Sequence, residues 1–321
     1  MSDEMAPSFR QVAIIENPGS GQPSARRKAA LAKALLALGR AGVDVLHLTI
    51  HGEGSGRVLA RQAIAAGCDA ILVCGGDGTV HEVLQALVGT PVALGVLPMG
   101  TANALASDLG LPRSPQKAID LLLASRPVQV PVGRVVFNGA DGAATSRYFT
   151  VAAGVGADAL LMARMDPALK RRLGYALYMI EAFRIWVSHR FPLFQVEIER
   201  ADGTRRTIEV SQLLAVRVRS FGGALGRFAP GASVQSNSLS IIAFKTRSRV
   251  KYVRFLMAVV AGRHTFSSHV ELVTAMSAEC RPLRDTDIYA ETDGEVLGLL
   301  PIRIEISTEK LTLLVPLHAR P

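Results

Sequence analysis

Residues 71–84 read ILVCGGDGTVHEVL. An apolar run, Ile71 to Cys74, empties into Gly75, Gly76, Asp77, Gly78 and Thr79, and an amphipathic stretch follows at once. The run predicts a buried strand, the glycines a tight loop and the stretch after them a helix. Glycines at such a loop let the backbone approach a ligand, and free amides at the helix start bind anions. Asp77 does not suit a simple phosphate cradle, because a carboxylate beside phosphates repels them. It needs a Mg²⁺ to hold, a proton to accept or a helix to cap. Thr79 can cap or touch phosphate.

Working outward, the same alternation repeats. QVAIIE (11–16), VDVLHLTI (43–50) and PVALGVLP (91–98) read as further strands. Helical patterns follow them at 25–42, 57–67, 101–112 and 115–125. Strands alternating with helices predict a mostly parallel sheet covered on both faces. Three strand ends then share one edge: NPGSG, with Asn17, Ser20 and Gly21; GGDGT; and PMGTANALA, with Gly100, Thr101 and Asn103. Ligands of open parallel sheets bind outside the carboxyl ends of the strands, so these loops form a composite nucleotide site. Neither G-x-G-x-x-G nor G-x-x-x-x-G-K-[ST] fits them, which removes the dinucleotide and P-loop fingerprints.

After Arg126 the texture is β-rich, with helical patches at about 157–188 and 249–262. Asp-Gly pairs at 141–142 and 202–203 predict hairpins. TRRTIEVSQLLAVRVRS (204–220) reads as strand, and PIRIEISTEKLTLLVPL (301–317) as two more. The domain boundary falls near 126–131. ETDGEVLG (291–298) reads either as an acidic hairpin turn or as a pair of carboxylates, Asp293 and Glu295, reaching across a cleft to bind metal or take a hydroxyl proton.

The composition of the 321 residues sets bounds. At 49% hydrophobic, the chain can bury one large core or two smaller ones. No apolar run reaches the ~18 residues of a membrane span, and the opening MSDEMAPSFRQVAII does not read as a secretory signal. Cys68, Cys74 and Cys280 lack metal-ligand spacing and read as buried thiols of a reducing, cytoplasmic compartment. The net charge of +9 favours anionic partners. Lys245, Arg247, Arg249, Lys251, Arg254 and Arg263 fall in a stretch without acids, which suits an anionic membrane surface or a solvated face; aromatics, at 5%, are too sparse for nucleic acid to be expected.

NPGSG (17–21), GGDGT (75–79), GTANALASDLGLP (100–112) and DGE (293–295), in that order, resemble the diacylglycerol kinase catalytic-domain family, which includes sphingosine kinases and bacterial lipid kinases. GGDGT alone also occurs in NAD kinases, but the Asn-Glu pair and serine-rich motif expected of those are absent. The resemblance implies a Rossmann-like, three-layer α/β domain over residues 1–130, joined by the C-terminal strands 301–318, and a β-sandwich lipid-binding domain over 131–300. The active site would lie in the interdomain cleft. It implies ATP and Mg²⁺ as cofactors and a lipid hydroxyl as acceptor. Asn17, Ser20, Gly21, Gly75, Gly76, Gly78, Thr79, Gly100 and Thr101 would line the nucleotide. Asp293 ranks first as general base and Asp77 second, with Asp77 and Glu295 as metal ligands. LGYALYMIEAFRIW (173–186), beside Arg171 and Arg172, would contact lipid or simply pack. Peripheral membrane association is expected, and a homodimer is left open. A kinase of a soluble nucleotide-like acceptor and an inactive nucleotide-binding regulator are the alternatives. The resemblance also implies a structural Mg²⁺ at an Asp-Gly turn after an A-P-x-A segment. Here FAPGASVQSNSLSIIAF places the neutral Asn237 and Ser238 at that turn, a weaker site for a hard cation.

Overall fold

A computed structural model of the chain describes residues 7–21, 24–139, 141–165, 175–219, 229, 231–261 and 269–317. Arg171, Arg172, Leu173, Gly174 and Arg263, named above, lie outside the described residues.

Continuous apolar runs become strands buried on both faces. β1 (Gln11–Glu16), β3 (Ala70–Gly75) and β4 (Ala93–Pro98) pair in parallel, with β2 (Asp44–Thr49) at the edge, in the order β2-β1-β3-β4. α1 (Ser24–Arg40) packs with α5 (Pro115–Leu123), and α2 (Ser55–Ala65) with α3 (Asp77–Leu87), on opposite faces of these strands. The short α4 (Ala104–Asp108) follows β4. The predicted alternation is therefore present, and the ends of β1, β3 and β4 open on one edge.

β5 (Ser125–Asn138) carries the chain out of this layer without a break. It pairs with β16 (Ile302–Pro316) along nearly its whole length: residues 125–131 with 310–316, and 133–137 with 302–306. The two strands expected in 301–317 are thus one. The register shifts between Ile306 and Lys310, where Ile306 N–H donates to Met276 O and Glu309 N–H to Ser307 Oγ. A bulge of this kind bends a strand without ending it. Leu313 then pairs in parallel with Leu94 of β4, which adds the C-terminal strand to the first layer.

The same mixed sheet continues through β13 (Ser277–Pro282), β8 (Phe194–Glu199) and β9 (Arg205–Val210), with β6 (Ala144–Phe149) on β5. A second, antiparallel sheet of six strands has the order β12-β11-β10-β7-β14-β15. Its strands are β7 (Ala152–Val155), β10 (Gln212–Val216), β11 (Leu239–Phe244), β12 (Val270–Ala275), β14 (Tyr289–Thr292) and β15 (Glu295–Leu299). Phe149, Phe194, Leu213 and Ile241 fill the core between the sheets. The fold is an α/β layer followed by a β-sandwich.

The stretch 204–220, read as one strand, changes sheet at Ser211. Ser211 N–H donates to Phe244 O, and its hydroxyl meets Thr246 O and Tyr252 Oη. β9 thereby ends at the edge of one sheet while β10 enters the middle of the other. The helical patch at 157–188 contains α6 (Ala157–Arg164) and α7 (Tyr175–Ser188), and the later patch is α8 (Arg249–Val260). Both Asp-Gly pairs form turns with glycine at positive φ, 75° at Gly142 and 80° at Gly203.

Candidate functional site

The three loops at the ends of β1, β3 and β4 touch one another. Asn17 Nδ2 donates to Thr79 Oγ1 at 2.8 Å, and Asn17 Oδ1 accepts from Gly19 N–H at 2.8 Å. Ser20 Oγ donates to Asn17 O at 2.9 Å. Asn103, at φ 48°, closes the third loop, with its side-chain amide donating to Gly100 O and accepting from Gly100 N–H.

The glycines here have different reasons to be glycine. A Cβ on Gly75 would lie 2.7 Å from the Thr79 side chain, and one on Gly100 2.6 Å from Gly76 Cα. These positions are small because loop packs on loop. Gly21 faces Thr101, whose Oγ1 would be 3.3 Å from an added Cβ. Gly78 is exposed, and a Cβ there would meet no atom within 4 Å. It faces open space at the start of α3.

Asp77 is the first residue of α3 but does not cap it. Its Oδ1 accepts from Ala104 N–H, at the start of α4, at 2.7 Å. Burial pushes its carboxyl above the usual range, the Ala104 amide opposes that, and the Asp293 charge adds to it.

The DGE segment is the turn between β14 and β15. Asp293 and Gly294 both have positive φ, 49° and 89°, as a two-residue hairpin of the primed type requires. Glu291 Oε2 accepts from Gly294 N–H at 2.7 Å. The turn swings the Asp293 side chain, 2% exposed, onto the start of β7. Asp293 Oδ1 accepts from Val151 N–H at 3.0 Å and Ala152 N–H at 2.9 Å, and Oδ2 from Thr150 N–H at 3.1 Å. Its fourth neighbour is His81 Nδ1, 3.3 Å from Oδ2. His81 sits one turn into α3 and also faces Glu295, with Nε2–Oε2 at 3.7 Å. Burial depresses the His81 imidazolium, but the Asp293 hydrogen bond and charge outweigh this, and its pKa is raised. Burial likewise raises the Glu295 carboxyl, against the opposing pull of His81. One helix turn away, Gln85 pairs with the backbone of Tyr148 on β6 through both its amide atoms, at 2.8 and 3.0 Å.

The candidate residues of the two halves are therefore brought together through α3. The sequence reading missed His81, which lies two residues past GGDGT, because nothing local marks its partner over 200 residues away. It also missed two acids behind the hairpin. Both Asp158 oxygens are buried without a side-chain partner, and only the backbone amides of Asp158 and Ala159 lie beside them. An added Cβ on Gly154 would fall 1.9 Å from Asp158 Oδ2 and 2.7 Å from Glu291 Oε1, so the two carboxyls crowd the same space. Burial pushes Asp158 up to about 7, and burial and the Asp158 charge push Glu291 up as well. Arg57 and Arg61 of α2 and Arg147 of β6 also gather close together; burial first, then the charges of Arg61 and Arg147, lower the Arg57 pKa, and Arg57 Nε is buried without a partner.

Residues 11–135 match the diacylglycerol kinase catalytic domain, and residues 149–315 match the YegS C-terminal NAD kinase beta sandwich-like domain. A diacylglycerol kinase of Mycobacterium tuberculosis is 30% identical over 313 residues, 96% of each chain. The solved structure of a diacylglycerol kinase from Bacillus anthracis aligns with a TM-score of 0.68 at 21% identity, over 97% of this chain and 99% of that one. Yeast NADH kinase shares the fold more distantly, with a TM-score of 0.54 at 11% identity over 96% of this chain and 84% of that one.

Proposed function

The chain belongs to the diacylglycerol kinase catalytic-domain family, and on that premise we propose that it transfers the γ-phosphoryl group of ATP to a hydroxyl of a membrane lipid. Diacylglycerol, a sphingoid base or a related lipid alcohol is the acceptor class. The observation that carries this reading is the meeting of the GGDGT helix with the DGE hairpin at His81 and Asp293, 3.3 Å apart. It sets nucleotide-loop amides and a group of carboxylates around one edge, and phosphoryl transfer is mostly positioning and charge stabilisation.

The nucleotide would lie over the loops of Asn17 to Gly21, Gly75 to Thr79, and Gly100 to Thr101, with Gly78 facing it. Asp77 and Glu295 offer hard oxygen donors that suit Mg²⁺. Among the described residues no three or more His, Cys, Asp or Glu side chains converge as a metal cage. That donor set fits an ion which keeps phosphates and water as its other ligands. When bound, Mg²⁺ would neutralise charge on the phosphates. For the acceptor proton we place Asp77 first and Asp293 second, the reverse of the order read from the sequence. The Asp293 oxygens already take three backbone N–H groups and face His81, whereas Asp77 has a raised pKa and the Ala104 amide on one oxygen. A carboxylate with an oxygen left free of amide donors is the one better placed to accept a proton.

Lipid would be met at a face shared by α7 and α8. Met179, Phe183 and Trp186 of α7 and Val250, Val253 and Met257 of α8 are exposed. Arg249, at the start of α8, donates to His189 O, just past the end of α7, at 3.2 Å. Exposed Arg184, Arg249 and Arg254 lie among these apolar residues, a pattern suited to an anionic bilayer surface. Among the described residues no helix is long and apolar enough to cross a membrane. ADP release measured with lipid vesicles and, separately, with soluble nucleotide acceptors tests the reading. Release that needs the vesicles supports it; release driven only by the soluble acceptors replaces it with an NAD-kinase-like activity.

A further inference from the structure

The turn that the family resemblance links to a structural Mg²⁺ holds a different cation. Arg217 follows β10 and is 0% exposed. Its Nη1 donates to Ser236 O at 2.6 Å and Ser238 O at 2.9 Å; its Nη2 donates to Val234 O at 2.6 Å and Pro131 O at 2.7 Å. Four backbone carbonyls thus point at one guanidinium, three of them from the 234–238 turn and one from β5. A ring of carbonyls is a hard donor set of the kind that surrounds a metal ion, but the planar fork of Arg already spends its four Nη hydrogens here. The turn supplies no carboxylate, since its side chains are Gln235, Ser236, Asn237 and Ser238. The donor set does not fit a second, divalent cation beside a buried guanidinium.

The charge sits at a junction. Arg217 N–H donates to Val151 O, beside the amides that hold Asp293. Two residues on, Arg219 N–H donates to Asp108 Oδ1 at 2.8 Å, at the end of α4 in the first layer. Burial lowers the Arg217 pKa to about 10, partly offset by the Asp108 charge, so the guanidinium keeps its proton at neutral pH. We propose that Arg217 is an internal cation that closes this carbonyl ring in place of a structural divalent metal, so that the junction folds without one.

Thermal melts of the full chain without nucleotide test this, in EDTA and in millimolar Mg²⁺ or Ca²⁺. The wild type is expected to melt at the same temperature in EDTA as in either metal, once the contribution removed by Asp77→Asn is subtracted. Arg217→Gln leaves several carbonyls buried without a donor, and its melting temperature is expected to fall by on the order of 5–10 °C. Arg217→Lys, which keeps the charge but not the fork, is expected to recover only part of that loss. A chelator-sensitive wild-type melt that persists in Asp77→Asn would overturn the proposal, as would an Arg217→Gln variant that melts like the wild type. Should Arg217→Gln fail to fold, the wild-type chelator melt decides alone.

Discussion

His81, on the helix that GGDGT begins, lies 3.3 Å from Asp293, at the tip of a hairpin in the other sheet. The two residues are 1% and 2% exposed, and His81 also faces Glu295 at 3.7 Å. One imidazole thus ties the loop side of the site to the carboxylate side, and its charge state affects both.

That contact gives stability a pH dependence of definite sign. The folded His81 pKa is raised above its ordinary 6.5, so its contribution is fully present below about pH 6.5 and is lost as pH rises through the folded value. Asp158, raised from 3.8 to about 7, acts in the same direction at lower pH: its contribution is whole below about pH 4 and gone by about pH 7. Chemical denaturation across pH should show wild-type stability falling over both windows. Asp158→Asn removes the buried charge, and its amide can donate to Glu291. It is expected to make the lower window shallower, with the raised carboxyls of Glu291, Asp77 and Glu295 supplying the slope that is left, and to gain on the order of a few kcal/mol over wild type at neutral pH. His81→Gln is expected to flatten only the upper one. Stability that rises from pH 4 to 7 in the wild type would refute the buried-acid account.

The two kinds of glycine predict opposite outcomes. Gly78→Ala adds a methyl group to open space at a helix start, so the apo protein should melt no lower, and a little higher by helix propensity. ATP affinity, measured by calorimetry, should fall about tenfold or more, ~1.4 kcal/mol, because that space is where the phosphates would lie. Gly100→Ala drives a Cβ to 2.6 Å from Gly76 Cα, an overpacking that costs about 1–3 kcal/mol, and should lower the melting temperature. Unchanged ATP affinity in Gly78→Ala, with the fold intact, moves the nucleotide elsewhere.

Asp77 and Asp293 separate by what else they hold. Asp293→Asn puts an amide group where an oxygen now accepts backbone N–H groups, so it should lose stability and turnover together. Asp77→Asn keeps one oxygen for Ala104 and should stay folded, with turnover at saturating ATP and lipid down by about 10²–10⁴-fold at every Mg²⁺ concentration. Partial recovery of Asp77→Asn at high Mg²⁺ would make it a metal ligand first. An Asp293→Asn variant that melts like wild type but does not turn over would return Asp293 to the role of base.

The lipid face proposed on α7 and α8 predicts vesicle binding that fades with salt. Co-sedimentation with anionic vesicles should drop as ionic strength rises, since each exposed Arg or Lys contributes about 1 kcal/mol near the surface. Phe183→Ser with Trp186→Ser should weaken binding at every salt concentration. Binding that ignores both salt and this pair of substitutions places the contact on another surface.

Local physics made much of this legible. β1, β3 and β4 are continuous apolar runs, and the loops after them are named by their Gly, Asn and Thr content. The Asp-Gly turns needed only the residue pair. What stayed hidden depends on distant partners. Nothing near Asp77 says that it caps α4 rather than α3, and nothing near Gly76 says that Gly100 lies against it. Ser211 divides one apparent strand between two sheets because Phe244 and Thr246 claim it. The bulge at Ser307 lets one strand serve both layers where composition suggested two.

Transfer of phosphate from ATP to a lipid hydroxyl leaves a product that can be isolated and weighed. The direct measurement is incubation of the protein with γ-labelled ATP, Mg²⁺ and vesicles carrying diacylglycerol, sphingoid bases and related lipid alcohols, with products identified by mass spectrometry. Label is expected in a lipid phosphate monoester, and about 10²–10⁴-fold less of it with Asp77→Asn. Label found only in a soluble acceptor, or ATP bound with no transfer to any acceptor, would contradict it.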